Sequence, residues 1–173
     1  MSAFERAFAV VVGHEGGLSL NPADPGNWTG GVVGLGACRG TKFGVSAASY
    51  PGLDIAALSL AEAQAVYRRD YWERVQGDAM PAPLALLVFD AAVNNGLGRA
   101  IRWLQEAAGV TVDGVIGPVT LRAVTMVTGA AVMAEFQARR LLFMAALPTW
   151  RQFGGGWARR LSRLPFEAIG MGI

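Results

Sequence analysis

The sequence predicts an α+β protein that is predominantly α-helical, with a small irregular β-containing lobe after the first helix. Three observations carry that expectation. Apolar residues recur at helical spacing through most of the chain. One early stretch, residues 18–58, breaks the period and is crowded with Gly, Pro, Asn, Asp and Thr. Hydrophobic residues make up 53% of the 173 and charged residues 16%, enough apolar matter for a core and too little charge for a disordered chain.

Taken in order, residues 3–15 place Phe4, Ala7, Phe8, Val11 and Val12 on one helical stripe, and Gly16-Gly17 is expected to stop it. Across residues 18–58 the reading is turns, with a short hairpin through residues 32–35 and 41–45. Ser59-Leu60-Ala61-Glu62 has capping-box spacing and opens a helix running to about Arg74. Residues 81–95 form an apolar helix ending at Gly96, and residues 99–108 another, closed by Gly109. Pro118 suits the first turn of the next. Residues 130–146 make a long helix closed by Pro148, with a shorter one near 149–162. Trp72, Trp103, Trp150 and Trp157 lie among helical apolar residues and read as core or half-buried.

Composition narrows the function. No apolar run approaches a bilayer span, and the N-terminal stretch lacks a small-residue cleavage site, so neither a membrane helix nor a secretory signal is expected. Work outside the cytoplasm then needs another protein, such as a holin, to release the chain. Cys38 is the only cysteine, which excludes an internal disulfide. His14 is the only histidine, which argues against a histidine metal site and against a Ser-His-Asp triad. Neither a metal nor a cofactor is expected, and the chain is read as a monomer. The net charge is +2 and almost all the positive charge is arginine, gathered late at Arg139, Arg140, Arg151, Arg159, Arg160 and Arg163. That pattern suits peripheral contact with an anionic wall or membrane, or is an ordinary solvated helix face. No nucleic-acid motif accompanies it, and no nucleic-acid partner is expected.

Glycosidic cleavage needs one protonated carboxylic acid and usually a second, ionised carboxylate across the sugar. Glu15, read at the negative end of the first helix beside Val11, Val12 and Leu18, has surroundings that disfavour its ionised form. Asp24 follows in a turn-rich segment that can fold back toward it; an Asx-turn role in Asp-Pro-Gly explains it equally well. Thr29 and Thr41 supply hydroxyls able to position a water, and Trp28 supplies a platform for a sugar face. Asp90, in an apolar helix, calls for an arginine partner or a capping role and is read as supporting. Asn94 and Asp113 are candidate substrate contacts, although each is also accounted for by a turn.

Several motifs then occur in a recognisable order. Glu15-Gly16-Gly17 and Asn21-Pro22-Ala23-Asp24-Pro25-Gly26 are followed by Gly40-Thr41-Lys42-Phe43-Gly44-Val45, Tyr67-Arg68-Arg69-Asp70-Tyr71-Trp72, Phe89-Asp90-Ala91-Ala92-Val93-Asn94 and Leu104-Gln105. Asp113-Gly114-Val115-Ile116-Gly117-Pro118 and Phe153-Gly154-Gly155-Gly156-Trp157 close the series. Over nearly its whole length the chain resembles glycoside hydrolase family 108, phage and prophage N-acetylmuramidases of lysozyme-like fold. The closing motifs resemble that family's peptidoglycan-binding region. The resemblance implies Glu15 as the catalytic acid. The Glu–Asp spacing resembles that of phage-type lysozymes and brings Asp24 with it. It leaves the threonine open, since Thr29 fits the phage lysozyme spacing and Thr41 the family's Thr-x-Phe-Gly pattern. Residues 27–39 look like an insertion relative to the family.

The expectation is therefore an endolysin-like muramidase cleaving the bond between N-acetylmuramic acid and N-acetylglucosamine. Residues 1–96 are read as catalytic and 97–173 as a wall-binding helical region, packed as one compact unit. A lytic transglycosylase working with one glutamate, and a non-catalytic wall-binding or secretion-assisting protein, remain as alternatives.

Overall fold

The computed structural model describes residues 1–13, 17–126 and 129–170. The contacts divide the chain into two compact units, residues 8–67 and residues 1–7 with 68–173.

Helix α1 (Ala3–Val12) opens on a capping box. The Ser2 N–H donates to Glu5 Oε2 at 2.7 Å, and the Glu5 N–H to Ser2 Oγ at 3.1 Å. The apolar stripe predicts a helix to residue 15; it stops instead at Val12. Gly13 takes φ +74° and its N–H caps Ala9 O at 3.0 Å, the left-handed stop that only glycine adopts cheaply.

In the unit of residues 8–67, β1 (Thr41–Lys42) pairs antiparallel with β2 (Val45–Ser46), Thr41 opposite Ser46 and Lys42 opposite Val45. Phe43 (φ 50°) and Gly44 (φ 73°) form the two-residue turn, both left-handed, as the twist of a tight hairpin demands. The expected strand at residues 32–35 is absent. That segment tips a separate arm, where Trp28 bridges Cys38, the Thr29 N–H bonds Ala37 O at 3.0 Å and the Gly30 N–H bonds Leu35 O at 3.1 Å. Val32, Val33 and Leu35 are all more than half exposed there, because four interleaved glycines leave no alternating face to bury.

Helix α2 (Leu60–Tyr67) begins at the expected capping box, with the Ser59 N–H donating to Glu62 Oε2 at 2.8 Å and the Glu62 N–H to Ser59 Oγ at 3.2 Å. It passes into a π-helical turn, Arg68–Trp72, rather than continuing as one α-helix to Arg74. Phe8 meets Tyr67 edge-on at 5.3 Å between centroids, and Val45, Ile55, Leu58 and Ala63 are buried in the same unit.

The second unit is organised on α3 (Ala82–Asn95), buried without a break from Leu84 to Ala92. It packs against α4 (Leu97–Ala107), α6 (Gly129–Ala145) and α7 (Trp150–Gly170). A helix buried on every face belongs at the centre of a core, and α3 has that place. Phe4, Trp72 and Phe89 form an edge-to-face cluster 5.6–6.1 Å apart. Helix α5 (Pro118–Met126) starts at Pro118. Helix α7 runs well past the expected residue 162, with Leu161, Leu164 and Ala168 continuing its buried stripe through Pro165. Among the described residues no single helix is long and apolar enough to cross a membrane.

Candidate active site

Glu15 lies outside the described residues, so the candidate site is built from its neighbours in sequence. Asp24 precedes a 3-10 turn, Pro25–Asn27, and caps it: the Gly26 N–H donates to Asp24 Oδ1 at 2.8 Å, and the Asn27 N–H to Asp24 O at 3.1 Å. The Ala23 N–H donates to Asn21 Oδ1 at 3.0 Å, so two side chains fold the segment into a rigid turn. Asp24 itself is exposed.

Asn27 is the hub of this lobe, and nothing in the sequence singles it out. Fully buried, its side-chain N–H donates to Asn21 O at 2.9 Å, while its Oδ1 accepts the Thr41 hydroxyl at 2.7 Å. Its carbonyl accepts the N–H groups of Arg39 and Gly40. Asn27 is thus bonded through both its side chain and its backbone, as its burial requires. Strand β1 and the Asp24 turn are tied through it. Thr29 serves elsewhere, its Oγ1 accepting the Ala37 N–H at 3.0 Å to close the base of the exposed arm. The Trp28 indole N–H donates to Pro22 O at 2.9 Å, holding a half-exposed ring against the Asp24 turn.

The remaining candidates lie in the other unit. Asp90, with no exposed surface, faces two arginines. Arg140 Nη1 stands 2.6 Å from Asp90 Oδ2 without hydrogen-bond alignment. Arg160 Nε donates to Asp90 Oδ1 at 3.1 Å, and its Nη2 contacts the same oxygen. Burial pulls the Arg140 guanidinium below its ordinary value, with Asp90 opposing that shift. Asn94 hangs one turn on from Asp90, its amide donating to Asp90 O at 2.8 Å.

Asp113 is set apart from this cluster in its bonding. Gln105, fully buried, donates to Asp113 Oδ1 at 2.6 Å and to Val115 O at 3.0 Å, and its Oε1 accepts the Gly114 N–H at 2.8 Å. The Gln105 amide, then the Val115 N–H, hold the Asp113 carboxyl below the usual carboxylate range. The loop before α5 is therefore locked from beneath by one glutamine. Among the described residues no three His, Cys, Asp or Glu side chains gather as a metal site would need.

A mainly helical chain with a two-stranded lobe after its first helix is a lysozyme-like α+β protein. The comparisons agree. The model of glycosyl hydrolase 108 matches residues 8–96, and that of a predicted peptidoglycan domain matches residues 99–162. A solved structure described as Brucella abortus SagA is 33% identical and superposes with a TM-score of 0.79, over 98% of this chain and 95% of that one. No curated protein matches. The chain belongs to the glycosyl hydrolase 108 family. It is a glycoside hydrolase acting on peptidoglycan.

Proposed function

We propose that the enzyme is an N-acetylmuramidase, hydrolysing the β-1,4 bond between N-acetylmuramic acid and N-acetylglucosamine. Glu15 protonates the leaving oxygen, and Asp24 acts as the second carboxylate, stabilising positive charge or orienting water. The observation that carries this reading is the Asp24–Asn27–Thr41 linkage. A turn that only needed closing would not require a buried amide binding it to a strand hydroxyl. The linkage also favours Thr41 over Thr29 for this role. The Thr41 proton is committed to Asn27, so its oxygen can only accept, which suits holding a water by its hydrogen. Thr29 accepts from Ala37 and serves the arm. Trp28, its indole N–H anchored, offers a ring face to a sugar.

In this reading residues 1–96 carry the chemistry and residues 97–173 hold the wall, with Asp113 shaping the loop before α5. A monomer acting at the periplasmic wall, endolysin-like and released by a holin, fits that division of labour.

The test is mass spectrometry of soluble fragments released from purified sacculi. Wild type should yield reducing-end muramic acid, and Glu15→Gln should fall by on the order of 10²–10⁴-fold while melting normally. Near-wild-type release by Glu15→Gln would remove Glu15 from its role. A second reading has its own observation: Asp24 Oδ1 is occupied by Gly26, so Asp24 is a turn residue and the enzyme a lytic transglycosylase working with Glu15 alone. Anhydro-muramic ends would select it.

A further inference from the structure

A cavity of about 400 Å³ opens in the unit formed by residues 1–7 and 68–173, and the glycan-cleaving chemistry makes no use of it. Its walls come from the end of α3 and from α4, α6 and α7, and they include Asn94, Arg99, Arg140, Phe143, Trp157 and Arg160. Both segments recognised by the family models thus contribute.

Among the described residues its lining is rich in guanidinium groups. Asp90 pairs with the guanidiniums of both Arg140 and Arg160. A third guanidinium, Arg99, meets neutral groups: it donates to Asn95 O and lies over the Phe143 ring at 4.2 Å from the centroid. Arg140, fully buried, spends Nε on Asn95 Oδ1 at 2.7 Å, yet its Nη2 has no hydrogen-bond partner. Burying the Arg140 guanidinium with Nη2 unmatched is costly, and an anion in the cavity would relieve the cost. Phe143 and Trp157 give the same space apolar walls, suited to the aliphatic part of a ligand rather than to a bare ion. Guanidinium forks match the planar two-oxygen geometry of a carboxylate.

We propose that this cavity binds a carboxylate of the peptide stems of peptidoglycan, its methylene groups resting on Phe143 and Trp157. The proposal rests on the peptidoglycan reading and deepens it: the catalytic lobe takes the glycan while this site takes the acidic peptide. Arg99, at the exposed edge, makes the first ion pair. Asn94 supplies an amide beside it. Asp90 holds Arg140 and Arg160 in place and does not touch ligand.

Calorimetric titration of the full chain with the tripeptide L-Ala-γ-D-Glu-diaminopimelate tests this. Binding should weaken by roughly tenfold in Arg99→Gln, since a charge-assisted contact is lost. It should weaken as strongly when the peptide's carboxylates are converted to amides. Arg99 is exposed, so the variant should melt near wild type. Equal affinity for acid and amide, or an unchanged Arg99→Gln, would overturn the proposal. So would preference for glycerol phosphate, or for peptide-free glycan strands, over the tripeptide. Fragment release from sacculi, measured in parallel on the same protein, separates the two readings. Cleavage without tripeptide binding defeats this site alone, and tripeptide binding without cleavage defeats the hydrolase reading alone.

Discussion

Asp24 caps its turn and is proposed as the second carboxylate, and one substitution separates the two roles. Asparagine keeps the Oδ1 acceptor for Gly26 and loses only the charge. Asp24→Asn should therefore keep the melting temperature and lose most hydrolytic activity; retained activity would make Asp24 a turn residue. Asp90 shows the opposite balance. Its carboxylate compensates a buried Arg140, so Asp90→Asn should cost about 3–5 kcal/mol in urea unfolding, the usual penalty for stranding a buried charge. An unchanged midpoint would mean that the arginines find other acceptors. Gly44 is constrained twice, by φ 73° and by the Tyr67 hydroxyl, which would lie 2.3 Å from an added Cβ. Gly44→Ala should lose about 1–3 kcal/mol by the same measurement.

At the scale of elements, the loop before α5 depends on Gln105 and Asp113 acting together. Because the folded Asp113 carboxyl titrates below its unfolded value, its charge stabilises the protein above about pH 4 and stops doing so as pH falls through the folded value. Thermal melts of wild type and Asp113→Asn should differ most near neutrality and converge as the pH falls through the lowered folded value. A gap that ignored pH would assign the stabilisation to loop geometry alone. The Glu62 carboxyl, lowered by the Ser59 N–H and hydroxyl, follows the same sign at the start of α2.

At the scale of the molecule, the boundary between the two family models is not a boundary of packing. Helix α3 falls within the residues matched by the hydrolase model, yet it is buried against α4, α6 and α7, which follow it. A chain ending at residue 96 would expose the run from Leu84 to Ala92 to water. It should therefore fail to fold, as judged by circular dichroism and proteolysis, although it contains every proposed catalytic residue. A folded, active 1–96 fragment would show that α3 finds its core elsewhere.

What the sequence by itself determined is what a few neighbouring residues can decide. The capping box at Ser59–Glu62 and the proline start of α5 depend on bonds or dihedrals spanning one turn, and the structure has both where the sequence puts them. Ser2 and Glu5 carry the same capping signal at the start of α1, legible at the same three-residue spacing. The end of α1 is less legible, because an apolar stripe carries no mark of which nearby glycine turns left-handed. Residues 32–35 have the composition of a strand, but among the described residues no strand pairs with them. Only the tertiary structure decided that Asn27 joins the Asp24 turn to Thr41, and that Gln105 locks Asp113. It alone drew Arg140 to Asn95 across 45 residues and Arg160 to Asp90 across 70. Such contacts depend on which helix faces which, and that is set by burying apolar surface throughout the core rather than by any local pattern of residues.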